Sequence, residues 1–263
     1  MCRKLRSYKG VNLKFYKING AGNDFIFPID KENLTENEIK NYCRRGVSIG
    51  GDGIIFVKKH AHYDFEMIYY NSDGSLAQFC GNGARSAVLF AKERNLISKD
   101  STNFLAGDGE HKAFFIDREN IKLQMNYSKK SQKISINNFE DITFLNTGVE
   151  HIVVYINSLK DFNVNKYGRE LRYNPMFPKG TNVNFVEKNG NKLSIRTYER
   201  GVESETYACG TGITAAGIVE MERLGSNEID LKTVLGYSMK VSNENGKFFL
   251  TGPANIVYKG ETY

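Results

Sequence analysis

Two cysteines stand out by their surroundings. Cys80 lies in Phe79-Cys80-Gly81-Asn82-Gly83 and Cys209 in Ala208-Cys209-Gly210-Thr211-Gly212, so each opens a Cys-Gly-x-Gly segment. A small-residue apolar run follows each, Ala84 to Ala91 and Ile213 to Val219. These runs predict helices over about residues 82–94 and 211–223, the second stopped by Gly225. A cysteine at a helix N-terminus sits beside the positive end of the dipole and free N–H groups, which favour thiolate over thiol and lower an ordinary pKa of roughly 8.5. The glycines leave backbone N–H groups open to an anion. A carboxylate held by both helix ends would put its neighbouring carbon between two sulfurs. That arrangement suits inversion of a stereocentre beside a carboxylate: one sulfur removes the α-hydrogen and the other delivers a proton to the opposite face. N–H groups aimed at the carboxylate stabilise the charge that gathers there. Neither a cofactor nor a metal is required.

The two segments belong to a longer repeat. The cysteines are 129 residues apart, and the same offset carries Tyr69 to Tyr198, Ala87 to Ala216 and Asn71 to Arg200. Near the start of each half the offset is 128, which carries Gly20 to Gly148 and Asn23 to His151. Several matches at a nearly constant spacing point to two copies of one unit. Apolar and β-branched stretches bounded by turn residues predict strands at 15–18, 54–57, 65–70 and 121–125, then at 152–156, 184–186, 193–198 and 248–251. A further helix is predicted at 36–45. The fold class is therefore α+β or mixed α/β, in two similar domains. Their join falls near 125–140, where Ser128-Lys129-Lys130-Ser131-Gln132-Lys133 is polar.

The 263 residues suffice for one large domain or two ordinary ones, and 40% hydrophobic content supports a real core. The net charge of +6 is spread in short runs, without the basic stripe interleaved with aromatics that a nucleic-acid partner needs. No apolar stretch follows the basic start Met1-Cys2-Arg3-Lys4, and none is long enough to span a membrane. A cytoplasmic protein acting on a small molecule is expected. The four cysteines lack the spacing of a zinc site or a secreted disulfide framework. Cys43 reads as a packing residue, and Cys2 as packed or exposed.

Seven motifs, in order, resemble diaminopimelate epimerases across nearly the whole chain, from about Phe15 to Gly260. They are Gly22-Asn23-Asp24-Phe25, Ile49-Gly50-Gly51-Asp52-Gly53, Asn71-Ser72-Asp73-Gly74-Ser75, Cys80-Gly81-Asn82-Gly83, Asn182-Val183-Asn184-Phe185, Tyr198-Glu199-Arg200-Gly201 and Cys209-Gly210-Thr211-Gly212. The resemblance implies two pseudo-symmetric domains, residues 13–127 and 128–253, each a curled mixed β-sheet wrapped around a central helix, with the active site in the cleft between them. It implies that the final strand, within 254–263, returns to the first domain, and it leaves residues 1–12 as an N-terminal extension. It makes Cys80 and Cys209 the acid/base pair, with His151 and Glu199 helping to set their protonation. Gly81, Asn82, Gly210 and Thr211 would hold the reacting carboxylate. Asn23 and Glu199 would meet the reacting amino group, while Asn71, Asn182 and Arg200 would grip the far end of the substrate. The implied reaction is cofactor-independent interconversion of LL- and meso-2,6-diaminopimelate, in lysine and peptidoglycan synthesis. A homodimer is compatible with the resemblance.

Taken singly, several of these residues have ordinary readings. Asn71 sits in a turn sequence, His151 could be a core histidine, and Glu199–Arg200 could be a surface ion pair. Three rival functions remain: a same-fold racemase or epimerase of another amino acid such as histidine or lanthionine, a non-catalytic anion-binding module, and a dithiol redox protein. The chain also departs from the family pattern. Gly148-Val149-Glu150-His151 stands where a proline usually precedes the histidine, and a Glu150 pointing into the cleft would repel a distal carboxylate. The segment Val202-Glu203-Ser204-Glu205-Thr206 is one residue longer than in some members.

Overall fold

A computed structural model describes residues 12–127, 129–136, 139–190 and 192–263. Cys2 and nearly all of the expected N-terminal extension lie outside the described residues.

The first half runs β1 (Lys14–Gly20), β2 (Asn23–Pro28), α1 (Glu36–Cys43), β3 (Gly53–Lys58), β4 (Phe65–Asn71), β5 (Leu76–Ala77), α2 (Gly81–Glu93), β6 (Ser101–Ala106), β7 (Gly109–Phe115) and β8 (Asn120–Met125). After β9 (Lys129–Ile136), the second half repeats the order: β10 (Phe139–Asn146), β11 (Glu150–Tyr155), α3 (Val164–Arg172), β12 (Asn182–Asn189), β13 (Lys192–Glu199), β14 (Ser204–Thr206), α4 (Gly210–Leu224), β15 (Glu228–Lys232), β16 (Ser238–Glu244) and β17 (Lys247–Pro253). The chain closes with β18 (Asn255–Glu261).

Strand pairing repeats as faithfully as element order. β1 and β2 are antiparallel, β2 and β3 parallel, β3 and β4 antiparallel, β4 and β6 parallel. β10–β11, β11–β12, β12–β13 and β13–β15 follow the same sequence of senses. The two sheets join through antiparallel β8 and β17, where Leu123 faces Leu250. Each half's last strand crosses to the other: β9 pairs with β10, and β18 pairs with β1. The halves are thus tied at three seams of one continuous mixed sheet.

The sheets curl because each encloses a helix that is apolar nearly all round. From Gly81 to Val88 every residue of α2 is buried, and so is most of α4 from Gly210 to Met221. Their small side chains let strands close in on all sides: a Cβ on Gly217 would fall 2.5 Å from Val241. Both helices feed one core shared by the two halves. Shorter helices cover the outer faces, α1 over Leu13, Ile26 and Ile54, and α3 over Val183, Phe185 and Tyr198. Helix α3 escaped sequence reading because Gly168 interrupts it and polar residues dominate. The glycine is required there, since a Cβ would lie 2.4 Å from that of Tyr198. Cys43 is packed in the outer core of the first half.

Candidate active site

Both central helices begin at the seam between the halves, and each has its cysteine at the N-cap in extended backbone conformation. The two N-termini touch: a Cβ on Gly210 would lie 3.4 Å from the Cα of Gly81. A Cβ at either position would already be in van der Waals contact with the facing helix end, which leaves no room for a longer side chain pointing that way. Asn82 locks the junction, donating from Nδ2 to the Ala208 carbonyl of the other half at 3.1 Å and to Asn23 Oδ1 at 2.7 Å.

Above this junction lies a cavity of about 850 Å³ lined by both cysteines. It also gathers Asn23, Asn71, Gly81, Asn82, Asn182, Glu199, Arg200, Gly210 and Thr211, which are separated by up to 188 positions in the chain. His151 does not line it. That imidazole is fully buried behind the wall, where Nδ1 accepts from Asn184 Nδ2 at 3.0 Å, which assigns the proton to Nε2. Nε2 has no hydrogen-bond partner. Val149 lines the cavity but Glu150 does not, so the feared repulsion of a distal carboxylate is not built into the wall.

The asparagines are positioned by bonds that use much of their capacity. Asn23 Nδ2 donates to Asp52, which also accepts from the Asp24 N–H. Asn182 spans from the Glu150 carbonyl to the Arg200 N–H. Asn71 donates to Ser75 Oγ in a tight turn, so its turn reading and its place in the cavity wall both hold. The Asn82 side chain has its oxygen on Arg85 and its nitrogen on two acceptors, which leaves the backbone N–H groups of the first helical turns for an anion. Arg200 Nη1 reaches the carbonyls of Lys179 and Gly180 at 3.3 Å, and no carboxylate among the described residues forms an ion pair with it.

Electrostatics overturn one expectation. Burial, opposed by the Gly83 N–H that meets Sγ at 3.4 Å, pushes the Cys80 thiol up to about 11, and the Glu199 charge adds to the rise. Burial raises Cys209 further, again with Glu199 adding to it and Thr211 Oγ1, 3.4 Å from Sγ, opposing. Helix-end N–H groups do favour thiolate, but desolvation outweighs them. Burial also raises the Glu199 carboxyl, which accepts from Thr206 Oγ1 at 3.0 Å. His151 is held down to about 3 by burial, with Arg200 adding, so it is neutral at ordinary pH.

Four participants carried no role in the sequence reading. Asp52, inside one of the quoted motifs, orients Asn23 and lines the cavity. Tyr69 lines it too, its phenol raised by burial. Asn184 holds His151, and Arg85 backs Asn82 from within α2. A lone arginine in the small-residue stretch Gly83-Ala84-Arg85-Ser86-Ala87 was the available signal for Arg85.

The architecture defines the class. It matches a protein of the phenazine biosynthesis PhzF family from Enterococcus faecalis (TM-score 0.75, 13% identity, 96% of this chain and 100% of that one). It also matches a hydroxyproline epimerase from Agrobacterium vitis with bound trans-4-hydroxy-L-proline (TM-score 0.66, 12% identity, 97% and 93% covered). At such identities the likeness is one of fold. Sequence goes further: the diaminopimelate epimerase family model matches residues 15–130 and 143–257. Diaminopimelate epimerases from Flavobacterium psychrophilum and a Hydrogenobaculum species are 41% and 40% identical, covering 94% and 93% of this chain and 99% and 96% of their own. The chain belongs to the diaminopimelate epimerase family.

Proposed function

We propose that this protein is an isomerase that interconverts LL- and meso-2,6-diaminopimelate by passing a proton between Cys80 and Cys209. The observation that carries the reading is the pair of cysteine-capped helix N-termini abutting beneath one cavity, in a chain of this family. The substrate's reacting carboxylate sits over the first turns of α2 and α4, where several N–H groups converge. Its α-carbon then lies between the two sulfurs. Glu199 and Asn23 meet the neighbouring ammonium, and Arg200 takes the distal carboxylate with Asn71 and Asn182 beside it.

The order of charges follows from burial. Glu199 helps hold both thiols protonated. A substrate ammonium beside Glu199 cancels that influence, so one thiol ionises most readily when the substrate is bound. The thiolate removes the α-hydrogen, negative charge spreads onto the carboxylate, and the helix-end N–H groups stabilise it. The opposing thiol then donates its proton to the other face. Starting from the opposite stereoisomer reverses the roles. His151, neutral and hydrogen-bonded through Asn184, fixes the wall that carries Arg200. The product serves lysine and cell-wall synthesis, and the need for free thiols suits a reducing cytoplasm.

The test is α-hydrogen exchange in D₂O. LL-diaminopimelate should acquire one deuterium as meso product forms, whereas L-histidine and lanthionine should exchange at least 100-fold more slowly. Exchange of either of these without exchange of diaminopimelate would overturn the substrate. Arg200→Met should raise KM for diaminopimelate by about two orders of magnitude, the loss expected for a charge-paired distal contact.

A further inference from the structure

Arg85 is fully buried in α2, yet no carboxylate among the described residues pairs with it. Its side chain runs back along the helix, as helical side chains do. Nη1 reaches the Gly81 carbonyl at 3.3 Å and Nη2 reaches Asn82 Oδ1 at 2.7 Å, while Nε has no partner. The guanidinium therefore lies at the N-terminal end of α2. A cation there opposes the helix dipole, and burying it without a counter-charge is destabilising. An anion at that same helix end would offset both penalties. Cys80 is the ionisable residue that caps it.

The second half supplies the control. The repeat offset of 129 places Thr214 where Arg85 stands. Thr214 Oγ1 donates to the Gly210 carbonyl at 2.9 Å, the counterpart of the Gly81 carbonyl that Arg85 meets. The same acceptor is thus met by a neutral hydroxyl beneath Cys209 and by a cation beneath Cys80.

We propose that Arg85 is a positioning residue: a buried cation that makes Cys80 rather than Cys209 the sulfur that ionises first and so makes two pseudo-equivalent cysteines unequal. The inference rests on the two-cysteine proton transfer proposed above. The groups acting on Cys80 are Arg85 from its own helix, Glu199 from β13, Tyr69 from β4 and Cys209 from α4, and Arg85 is the cation among them. Burial pushes the guanidinium down to about 10, with Cys80 alone opposing. The groups acting on Cys209 include Glu199 and Cys80 but no cation.

Alkylation by iodoacetamide, without substrate, reads thiolate at each site independently of turnover. Peptide mass spectrometry gives the rate at Cys80 and at Cys209 as a function of pH. In the unsubstituted protein the Cys80 midpoint should lie below that of Cys209, and the opposite order would overturn the proposal even if no variant folds. Arg85→Met should slow Cys80 alkylation about tenfold below its midpoint, as for the loss of a neighbouring opposite charge, with Cys209 unmoved. Arg85→Lys, which keeps the charge but loses the fork, should hold the Cys80 profile closer to its original place. A purely structural role predicts that both variants shift both cysteines alike. If Arg85→Met leaves both profiles fixed and instead weakens inhibition by a diaminopimelate analogue, Arg85 serves the substrate carboxylate and the proposal fails. Absence of diaminopimelate turnover alone would count against the substrate and leave this assignment standing.

Discussion

The N-termini of α2 and α4 are built on one backbone plan and dressed with different side chains. Each is capped by cysteine in extended conformation, followed by glycine, and enclosed by strands paired in the same order. Yet the sulfur of Cys80 accepts from the Gly83 N–H at 3.4 Å, whereas that of Cys209 lies 3.4 Å from Thr211 Oγ1 and the Gly212 N–H acts on it more weakly than that hydroxyl. Asn82 bridges the halves, while Thr211 offers its carbonyl to Thr147. Cys80 is half-buried and Cys209 only 8% exposed. Backbone geometry is what duplication copies well, because it depends on strand pairing and on glycine. Side chains were free to diverge. The result is a site symmetric in its donors and asymmetric in its charge.

The largest expected effect tests the symmetric part. Cys80→Ala and Cys209→Ala should each lower kcat by about 10³-fold or more, since each removes a proton-transfer group needed in both directions. Retention of full turnover by either would show that its sulfur moves no proton in the reaction. Reversible loss of activity on oxidation, restored by a reductant, would separate this chemistry from that of a dithiol redox protein.

Glycines inside the two helix starts give the next contrast. A Cβ on Gly212 would lie 2.1 Å from Asn184 Oδ1, an amide bonded to Thr197, His151 and Ile152. A Cβ on Gly83 would lie 2.9 Å from the terminal methyl of Ile55, which can turn away. Urea unfolding should show Gly212→Ala destabilised by about 2–3 kcal/mol and Gly83→Ala by about 1 kcal/mol, with unchanged slope. Equal losses would show that the second wall is no stiffer than the first.

His151 and Asn23 occupy matching places in the repeat, and only His151 titrates. Burial holds its folded pKa to about 3, against about 6.5 in the unfolded chain. As pH falls the unfolded chain takes up the proton first. The contribution is therefore present above about pH 6.5 and is lost progressively as pH falls toward 3. The thermal midpoint should decline over that window, and His151→Gln should flatten the decline.

The smallest effect lies at the far helix ends. Helix α4 stops at Gly225, with φ of 62°, whereas Asn95 after α2 adopts φ of 57°. Gly225→Ala should cost about 1 kcal/mol, while Asn95→Gly should gain a few tenths, both read from thermal unfolding.

Much of this was legible without coordinates. Helices predicted at 82–94 and 211–223 run Gly81–Glu93 and Gly210–Leu224, and the stop at Gly225 is there. Their small-residue composition and glycine punctuation are local properties, so local reading finds them. Strands β7, β9, β10, β15 and β16 went unread because charged residues are scattered through them, and β2 and β6 because they are short and open on polar residues. Their partners, up to 39 positions away, supply the stability that short-range pattern lacks. Helix α3 hid behind Gly168, whose reason is the ring of Tyr198.

Sequence by itself determined the chemistry available here: two cysteines in a repeated glycine frame, and a set of asparagines with one glutamate and one arginine to receive an amino acid. Residue type and spacing suffice for that, because they dictate which atoms can donate, accept or move a proton. Tertiary structure decided how those atoms behave. It withdrew Cys209 and part of Cys80 from water, so their thiols rise where helix-end N–H groups alone would lower them. It set His151 behind the cavity wall and left Glu150 outside the lining. It also put Arg85 beneath one cysteine and Thr214 beneath the other. The reason is physical: solvation and Coulomb energies depend on what surrounds a group in space, and that neighbourhood exists only after the two halves close on each other.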